Sequence, residues 1–334
     1  MNTSFYQTLP LHTFELLADS AAHLGRIDYF HYVRAFQRDI ITILAIFGTV
    51  RFVGWALCAS FFFHTYCLHR SKIHRYKHVS PDGSIAWALV TGASHGVGYE
   101  IVRELAGKGF NVVLHGRDEQ DLLNAMMRMH EEFPDRNFKM LIADPTALGS
   151  KGFCYRKSYD DWKMERKLDI EAIKHELSKL NLTVLVNCAN AEAKDTELGH
   201  ILDENEKSIF KNINAGALYP IQLFRVLLPN LIGNAPSLII NVTSLSDKGI
   251  PLKISTSASR SFLSKMTESS ALEMKLDGYD VAALCVRVSR CMGQADSTLA
   301  RAIIARVGSR RSVFVGHWYQ FLYKGLIDLL PGRL

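Results

Sequence analysis

The chain of 334 residues has six cysteines and no C-x-x-C pair, so a zinc site or a disulfide framework has little support and a reducing compartment is the simpler reading. It has no acidic residue between Asp39 and Asp82. Nor does its main body carry a lysine- or arginine-rich stripe: residues 1–78 hold eight basic against four acidic side chains, and the rest of the chain 31 against 29. That near-neutral balance argues against a nucleic-acid-binding face. With 48% apolar and 22% charged residues, neither a disordered tail nor a collagen-like fibre fits. The length allows one large domain or two small ones.

What is present begins with one apolar segment. Residues 40–68 are apolar apart from Arg51, His64 and a few small polar residues. A span over 52–68 is at the short end of what crosses about 30 Å of hydrocarbon. It leaves Arg51 at one boundary, where the long side chain can snorkel. Starting at Ile40 instead puts Arg51 near the middle, at about 2.5–3.5 kcal/mol, so the later span is preferred. Phe61, Phe62 and Phe63 in a row leave no polar face for a buried or interfacial helix. A cleaved signal peptide fits poorly, because the stretch starts some 40 residues in. Arg70, Lys72, Arg75 and Lys77 follow directly, and the positive-inside rule places that flank and the main domain in the cytosol, below a single membrane anchor. The expected organisation is an N-terminal segment over 1–39, the anchor over 40–68, a basic linker over 69–84, a nucleotide-binding domain over 85–300 and an apolar tail over 301–334.

Trp87-Ala88-Leu89-Val90 reads as a short buried strand. Thr91-Gly92-Ala93-Ser94-His95-Gly96-Val97-Gly98 then runs into a helix with an apolar stripe at Ile101, Val102 and Leu105. Glycines there let the backbone turn sharply beside a pyrophosphate, while the helix N-terminus offers free N–H groups and a positive dipole. The strand and helix on either side make this Gly-rich loop a strong signal. The next strand, Asn111-Val112-Val113-Leu114, ends in His115-Gly116-Arg117-Asp118. No acid at positions 115 or 116 is placed to bind a ribose 2′-hydroxyl, whereas Arg117 suits a 2′-phosphate. NADP(H) is therefore favoured over NAD(H). Asp118 reads as a helix cap. Further strands are expected at 138–143, 182–186, 238–242 and 281–288, and helices near 170–177, 205–228 and 258–276. Residues 148–167 read as a charged surface insertion. The alternation implies an α/β fold with a doubly wound, mostly parallel, Rossmann-like sheet behind an N-terminal transmembrane helix.

Over 85–290 the pattern resembles the short-chain dehydrogenase/reductase family. Thr91-Gly92-x-x-x-Gly96-x-Gly98 is similar to its cofactor loop, with Ser94, His95 and Val97 inside it. Asp144 stands where that family often has an Asp near the adenine, and Asn187-Cys188-Ala189-Asn190 resembles its Asn-Asn-Ala-Gly. Asn214 matches the Asn of its catalytic helix, and Asn241-Val242-Thr243-Ser244 the strand that delivers its catalytic Ser. The resemblance implies hydride transfer between NADP(H) and a carbonyl or secondary alcohol, with a Tyr as proton donor and a Lys four residues later holding the ribose and lowering the Tyr pKa. Here Thr256-Ser257-Ala258-Ser259-Arg260 stands where the family reads Tyr-Ser-Ala-Ser-Lys, so Thr256 replaces the tyrosine and Arg260 the lysine. The implied catalytic set is Asn214, Ser244, Thr256 and Arg260. The implied cofactor set is Gly92, Ser94, His95, Gly96, Val97, Gly98, Arg117, Asp144, Asn187 and Arg260. No metal site is expected. Tyr159 and Lys163 also satisfy Tyr-x-x-x-Lys, but they precede Ser244 and read as a loop coincidence. Val286-Arg287 stands where the family has Pro-Gly.

The anchor and a tail containing Gly316-His317-Trp318-Tyr319-Gln320-Phe321-Leu322 and Leu330-Pro331 resemble the family's membrane-bound 3-oxoacyl-CoA reductases and 17β-hydroxysteroid dehydrogenases. That implies the endoplasmic reticulum membrane, a lipophilic substrate and pairing of two copies through the helices near 205–228 and 258–276. A threonine hydroxyl is a far weaker acid than a phenol of pKa about 10, yet it can still donate a hydrogen bond. Two functions are therefore expected from the same residues: an oxidoreductase with weak turnover, or a non-catalytic, cofactor-binding relative serving as a membrane scaffold or regulatory partner.

Overall fold

The computed structural model describes residues 11–147, 170–189, 200–289, 294–309 and 311–321, the side chains of 11–30 and of residue 32 left aside. The chain divides into two compact units, Met1–His64 and Thr65–Leu334.

The first unit is a single helix, α1 (Leu11–Phe63). A π-helical turn, His64–Leu68, follows it across the unit boundary. Ile41, Phe47, Phe52, Trp55 and Leu57 are all exposed. Val33–Leu68 is a candidate membrane span with mean hydropathy 2.0 and none of its most apolar window buried. Two expectations change here. The N-terminal segment and the anchor are one continuous helix. The span preferred over 52–68 also ends too late, because Thr65 is buried in the second unit and Tyr66 bonds to Val315 there. Thr65 and Tyr66 therefore pack on protein, while Cys67 and Leu68 are exposed. A span of about 20 residues ending at His64 begins near residue 45, so it includes Arg51.

The second unit is built on seven parallel strands in the order β3-β2-β1-β4-β5-β6-β7. They are β1 (Trp87–Thr91), β2 (Asn111–Gly116), β3 (Phe138–Ile142), β4 (Leu182–Asn187), β5 (Ser237–Ser244), β6 (Val281–Val288) and β7 (Val313–Val315). Every residue of β1, β2 and β4 is buried, as a parallel sheet covered on both faces requires. The helices are α2 (Gly96–Gly107), α3 (Glu119–Glu132), α4 (Ile170–Leu177), α5 (Glu206–Ile213), α6 (Tyr219–Gly233), α7 (Ile254–Leu276) and α8 (Asp296–Ala305). Asp118 caps α3 by accepting the Asp121 N–H at 2.9 Å, as its sequence position implies. Leu89, Val113, Leu185 and Ile239 from the sheet meet Ile173 of α4 and Leu223 and Leu227 of α6 in the core. The stretch Glu206–Gly233 is also long and apolar, but half of its most apolar window is buried, as expected of a core helix.

The boundary expected at 300 falls inside α8, and β7 extends the sheet on the β6 edge. The sheet domain therefore runs into the segment read as a tail. Helix α7 begins at Ile254 rather than 258, which places Thr256 in its first turn. Strand order reverses between β1 and β4, the switch point at which open α/β sheets hold ligands at their carboxyl ends.

Candidate active site

The Gly-rich loop leaves β1 at the switch point and enters α2. Thr91 Oγ1 accepts the backbone N–H groups of Cys188 and Ala189 at 3.0 and 2.9 Å, tying the end of β1 to the end of β4. Gly92 has φ +69, and a Cβ there would press on the backbone of Ala189. Gly98 is more constrained: a Cβ would overlap the Gly92 carbonyl oxygen, which belongs to backbone and cannot swing away. The cradle is thus closed by two glycines that accept no side chain, with the N-terminus of α2 beside them. Ser94 Oγ lies 2.9 Å from His95 Nδ1.

This loop forms one wall of a cleft of about 170 Å³. Gly92, His95, Val97 and Gly98 line that wall. Cys188 and Ala189 past β4, Ser244 at the end of β5, Arg260 of α7, Val288 and Ser289 at the end of β6 and Leu299 of α8 also line the cleft. Six of the residues singled out from the sequence therefore meet at one cleft. The others lie around it. Gly96 is the first residue of α2. Arg117 is exposed just past β2, with no ion pair or hydrogen bond among the described residues. Asp144 Oδ1 accepts the backbone N–H and hydroxyl of Thr146 at 2.9 and 2.8 Å. Asn214 is buried at the start of a π-helical turn, Asn214–Leu218, and its amide donates to the Thr146 carbonyl at 2.9 Å. That contact locks the β3 exit onto the α5–α6 helix.

Asn187 does not line the cleft. Its amide donates to Asn241 Oδ1 at 2.7 Å, and Asn241 donates on to Thr267 at 2.8 Å, so it serves the β4–β5–α7 joint. Thr256 does not line the cleft either. It is half-buried, and its hydroxyl has no hydrogen bond among the described residues. Ser244 ends β5 and caps the following turn, accepting the Ser246 N–H at 3.3 Å. No tyrosine lines the cleft among the described residues. Tyr159, Lys163, Asn190 and the tail beyond Phe321 lie outside them.

Two polar pairs near the site were not legible in the sequence. Arg287 of β6 donates to Asp247 Oδ2, which also accepts the Ser264 hydroxyl at 2.8 Å. Asp247 is three residues past Ser244 and Arg287 one before Val288, so the pair ties together the segments that carry these two lining residues. His115, fully buried at the end of β2, has Nε2 2.5 Å from the Tyr219 hydroxyl. Burial pushes the His115 pKa down to about 4, so the imidazole is neutral. Burial also raises the Tyr219 pKa, so the phenol stays neutral and the two neutral groups share one hydrogen bond. The residues that could hold a nicotinamide dinucleotide fit it: the glycine cradle would face the pyrophosphate, and Arg117 is an exposed cation just past β2.

The family description for short chain dehydrogenases matches residues 86–152. A very-long-chain 3-oxoacyl-CoA reductase of Mycosarcoma maydis is 26% identical over 247 residues, covering 73% of this chain and 65% of that protein. Among solved structures, a short-chain dehydrogenase from Sphingobium yanoikuyae in complex with NADPH superposes with a TM-score of 0.56 at 18% identity, over 75% of this chain and 98% of that one. An NADPH-bound short chain oxidoreductase from Pseudomonas aeruginosa PAO1, described as containing an atypical catalytic center, does so with a TM-score of 0.50 at 22% identity, over 61% and 71%. The chain is thus similar to short chain dehydrogenases over residues 86–152, and the solved structures share its fold.

Proposed function

We propose that this protein is an oxidoreductase of short-chain dehydrogenase type that binds NADP(H) and acts on a lipophilic ketone or secondary alcohol, 3-oxoacyl or steroid-like, with weak turnover. The observation that carries the reading is the closed glycine cradle sharing one cleft with Ser244 and Arg260. The names of relatives such as the 3-oxoacyl-CoA reductase of Mycosarcoma maydis supply the substrate class. The exposed guanidinium of Arg117 supports the 2′-phosphate, since a planar fork pairs well with phosphate oxygens. The bound dinucleotide supplies or takes the hydride. In the protein, Ser244 Oγ would hold the substrate oxygen by a hydrogen bond, and Arg260, one helical turn past Thr256, would place positive charge beside it. No side chain lining the cleft among the described residues is a phenol, so in this reading the proton comes from water or from a substrate group. General acid–base catalysis contributes about 10²–10⁴-fold, and its loss fits slow turnover.

We place the protein in the endoplasmic reticulum membrane as a single-pass protein with the sheet domain in the cytosol. The candidate span and the basic run after it support this reading. Exposed Phe210, Phe262 and Leu272 on α5 and α7 support pairing of two copies through those helices.

The second reading, a cofactor-binding scaffold or regulatory partner without turnover, is favoured by one observation: the Thr256 hydroxyl does not line the cleft. Fluorescence titration with NADPH and an NADPH-oxidation assay with a long-chain 3-oxoacyl-CoA separate the readings. Saturable binding with measurable turnover supports the enzyme. Binding without turnover supports the scaffold, and absence of binding removes both.

A further inference from the structure

The residues just after His64 are fastened to a part of the second unit that reaches Ser289, a residue lining the cleft. Tyr66 Oη donates to the Val315 carbonyl at 2.8 Å, and its ring lies 5.8 Å from the Phe321 ring. The buried Arg306 guanidinium sits 4.7 Å from the Tyr66 ring centroid and donates to the Thr65 carbonyl. Gln320, beside Phe321, is buried and donates to the Ser289 carbonyl at 2.5 Å, and Ser289 lines the cleft. Two consecutive residues, Gln320 and Phe321, therefore link Tyr66 to Ser289. Each residue spans at most about 3.6 Å, so Tyr66 is within about 7 Å of His64.

We infer that this face, formed by residues 65–70 and 317–321, rests in the headgroup layer of the bilayer that α1 crosses and brings the part of the cleft lined by Ser289 to the lipid surface. The inference rests on the reading of α1 as an anchor. The chemistry of the face fits a lipid interface and no other occupant as well. Leu68 is 60% and Trp318 49% exposed, and tryptophan collects at headgroup depth because its ring is apolar with one polar edge. Arg70 and Lys72 are exposed and have no ion pair among the described residues, so their charge is free for lipid phosphates. Arg75, farther along, is instead paired with Asp280 at 2.6 Å. His69 and Ser71 hold the segment down on the carbonyls of Val307 and Ile304 at 3.0 and 2.5 Å, so the face is a fixed part of the domain.

The test uses the full chain in vesicles of phosphatidylcholine and phosphatidylserine, without bromine or with bromine on the acyl chains either near the headgroup or near the chain ends. The emission difference between wild type and Trp318→Phe isolates Trp318, and the difference from Trp55→Phe isolates α1. Far-ultraviolet circular dichroism checks that both variants fold. The expected result is that bromine near the headgroup removes most of the Trp318 emission and bromine near the chain ends quenches Trp55. Quenched Trp55 with unaffected Trp318 overturns the inference and leaves the anchor standing. If neither is quenched, both readings fall. Quenching of Trp318 alone keeps the lipid-facing surface and removes the spanning helix.

Discussion

Arg287 and Asp247 form an ion pair across the end of the β5–β6 pairing, with Asp247 side-chain exposure at 2% and Arg287 at 21%. The guanidinium stands where the family has Pro-Gly. Removing one partner of a buried pair leaves the other uncompensated, so Asp247→Asn should lower stability by roughly 3 kcal/mol, the low end for such breaks because Arg287 keeps some water. Replacing both with leucine should cost less than the single change. Denaturant midpoints of the three proteins compare these outcomes. Equal stability of Asp247→Asn and wild type would show that the pair contributes nothing.

The Gly98 position makes the cradle testable. A methyl group there overlaps the Gly92 carbonyl, so Gly98→Ala must push the start of α2 away from β1. NADPH affinity should fall at least about tenfold, which is about 1.4 kcal/mol. Gly233, with open space around its would-be Cβ, is the control: Gly233→Ala should bind NADPH as wild type does.

Arg117→Ala separates the two dinucleotides. A hydrogen bond to a charged group contributes about 1.5–3 kcal/mol, and exposure puts Arg117 at the weak end. NADPH affinity should fall roughly tenfold while NADH affinity stays put. Titrations with both cofactors check this, and equal losses for the two would assign Arg117 no part in cofactor choice.

The sheet was legible because its strands are continuous apolar runs, as at Leu182–Asn187 and Val281–Val288. The cradle was legible because its glycines are demanded by backbone geometry. What escaped depends on long-range partners. Val313–Val315 is a three-residue strand whose only periodicity is supplied by its neighbour β6. Thr65 and Tyr66 carry the same apolar signal whether they face lipid or Arg306, and only the fold distinguishes these. Asn187 looked like a cofactor contact by position, but it faces sideways to Asn241, a partner 54 residues away. The π-helical turn at Asn214 has no local signature; it appears where the Asn214 amide reaches Thr146.

The His115–Tyr219 pair gives the fold an acid limit. The His115 pKa is near 4 when folded, against 6.5 ordinarily, with burial as the cause. Between those values the unfolded chain binds a proton that the folded chain does not. Stability should therefore be full above pH 6.5 and fall as pH drops toward 4, by about 3 kcal/mol from this group. His115→Phe should flatten that part of the thermal-midpoint profile, while Tyr219→Phe, which keeps the imidazole buried, should preserve the slope.

The place of Thr256 and Arg260 on α7 gives the sharpest prediction. Thr256 lies in the first turn of α7, and Arg260 one turn later lines the cleft. In Thr256→Tyr combined with Arg260→Lys, a phenol of pKa about 10 comes under the pull of an ammonium, the combination that general acid catalysis needs near neutrality. Because Thr256 is half-buried with a hydroxyl free among the described residues, the larger side chain displaces no hydrogen bond. If proton supply limits the reaction, kcat/KM for reduction of a long-chain 3-oxoacyl-CoA should rise by about 10² or more, with NADPH affinity little changed. Turnover in the double variant from a wild type with none would mark the natural protein as a cofactor-binding scaffold. A double variant that binds NADPH and turns over no faster than wild type would show that another group already supplies the proton.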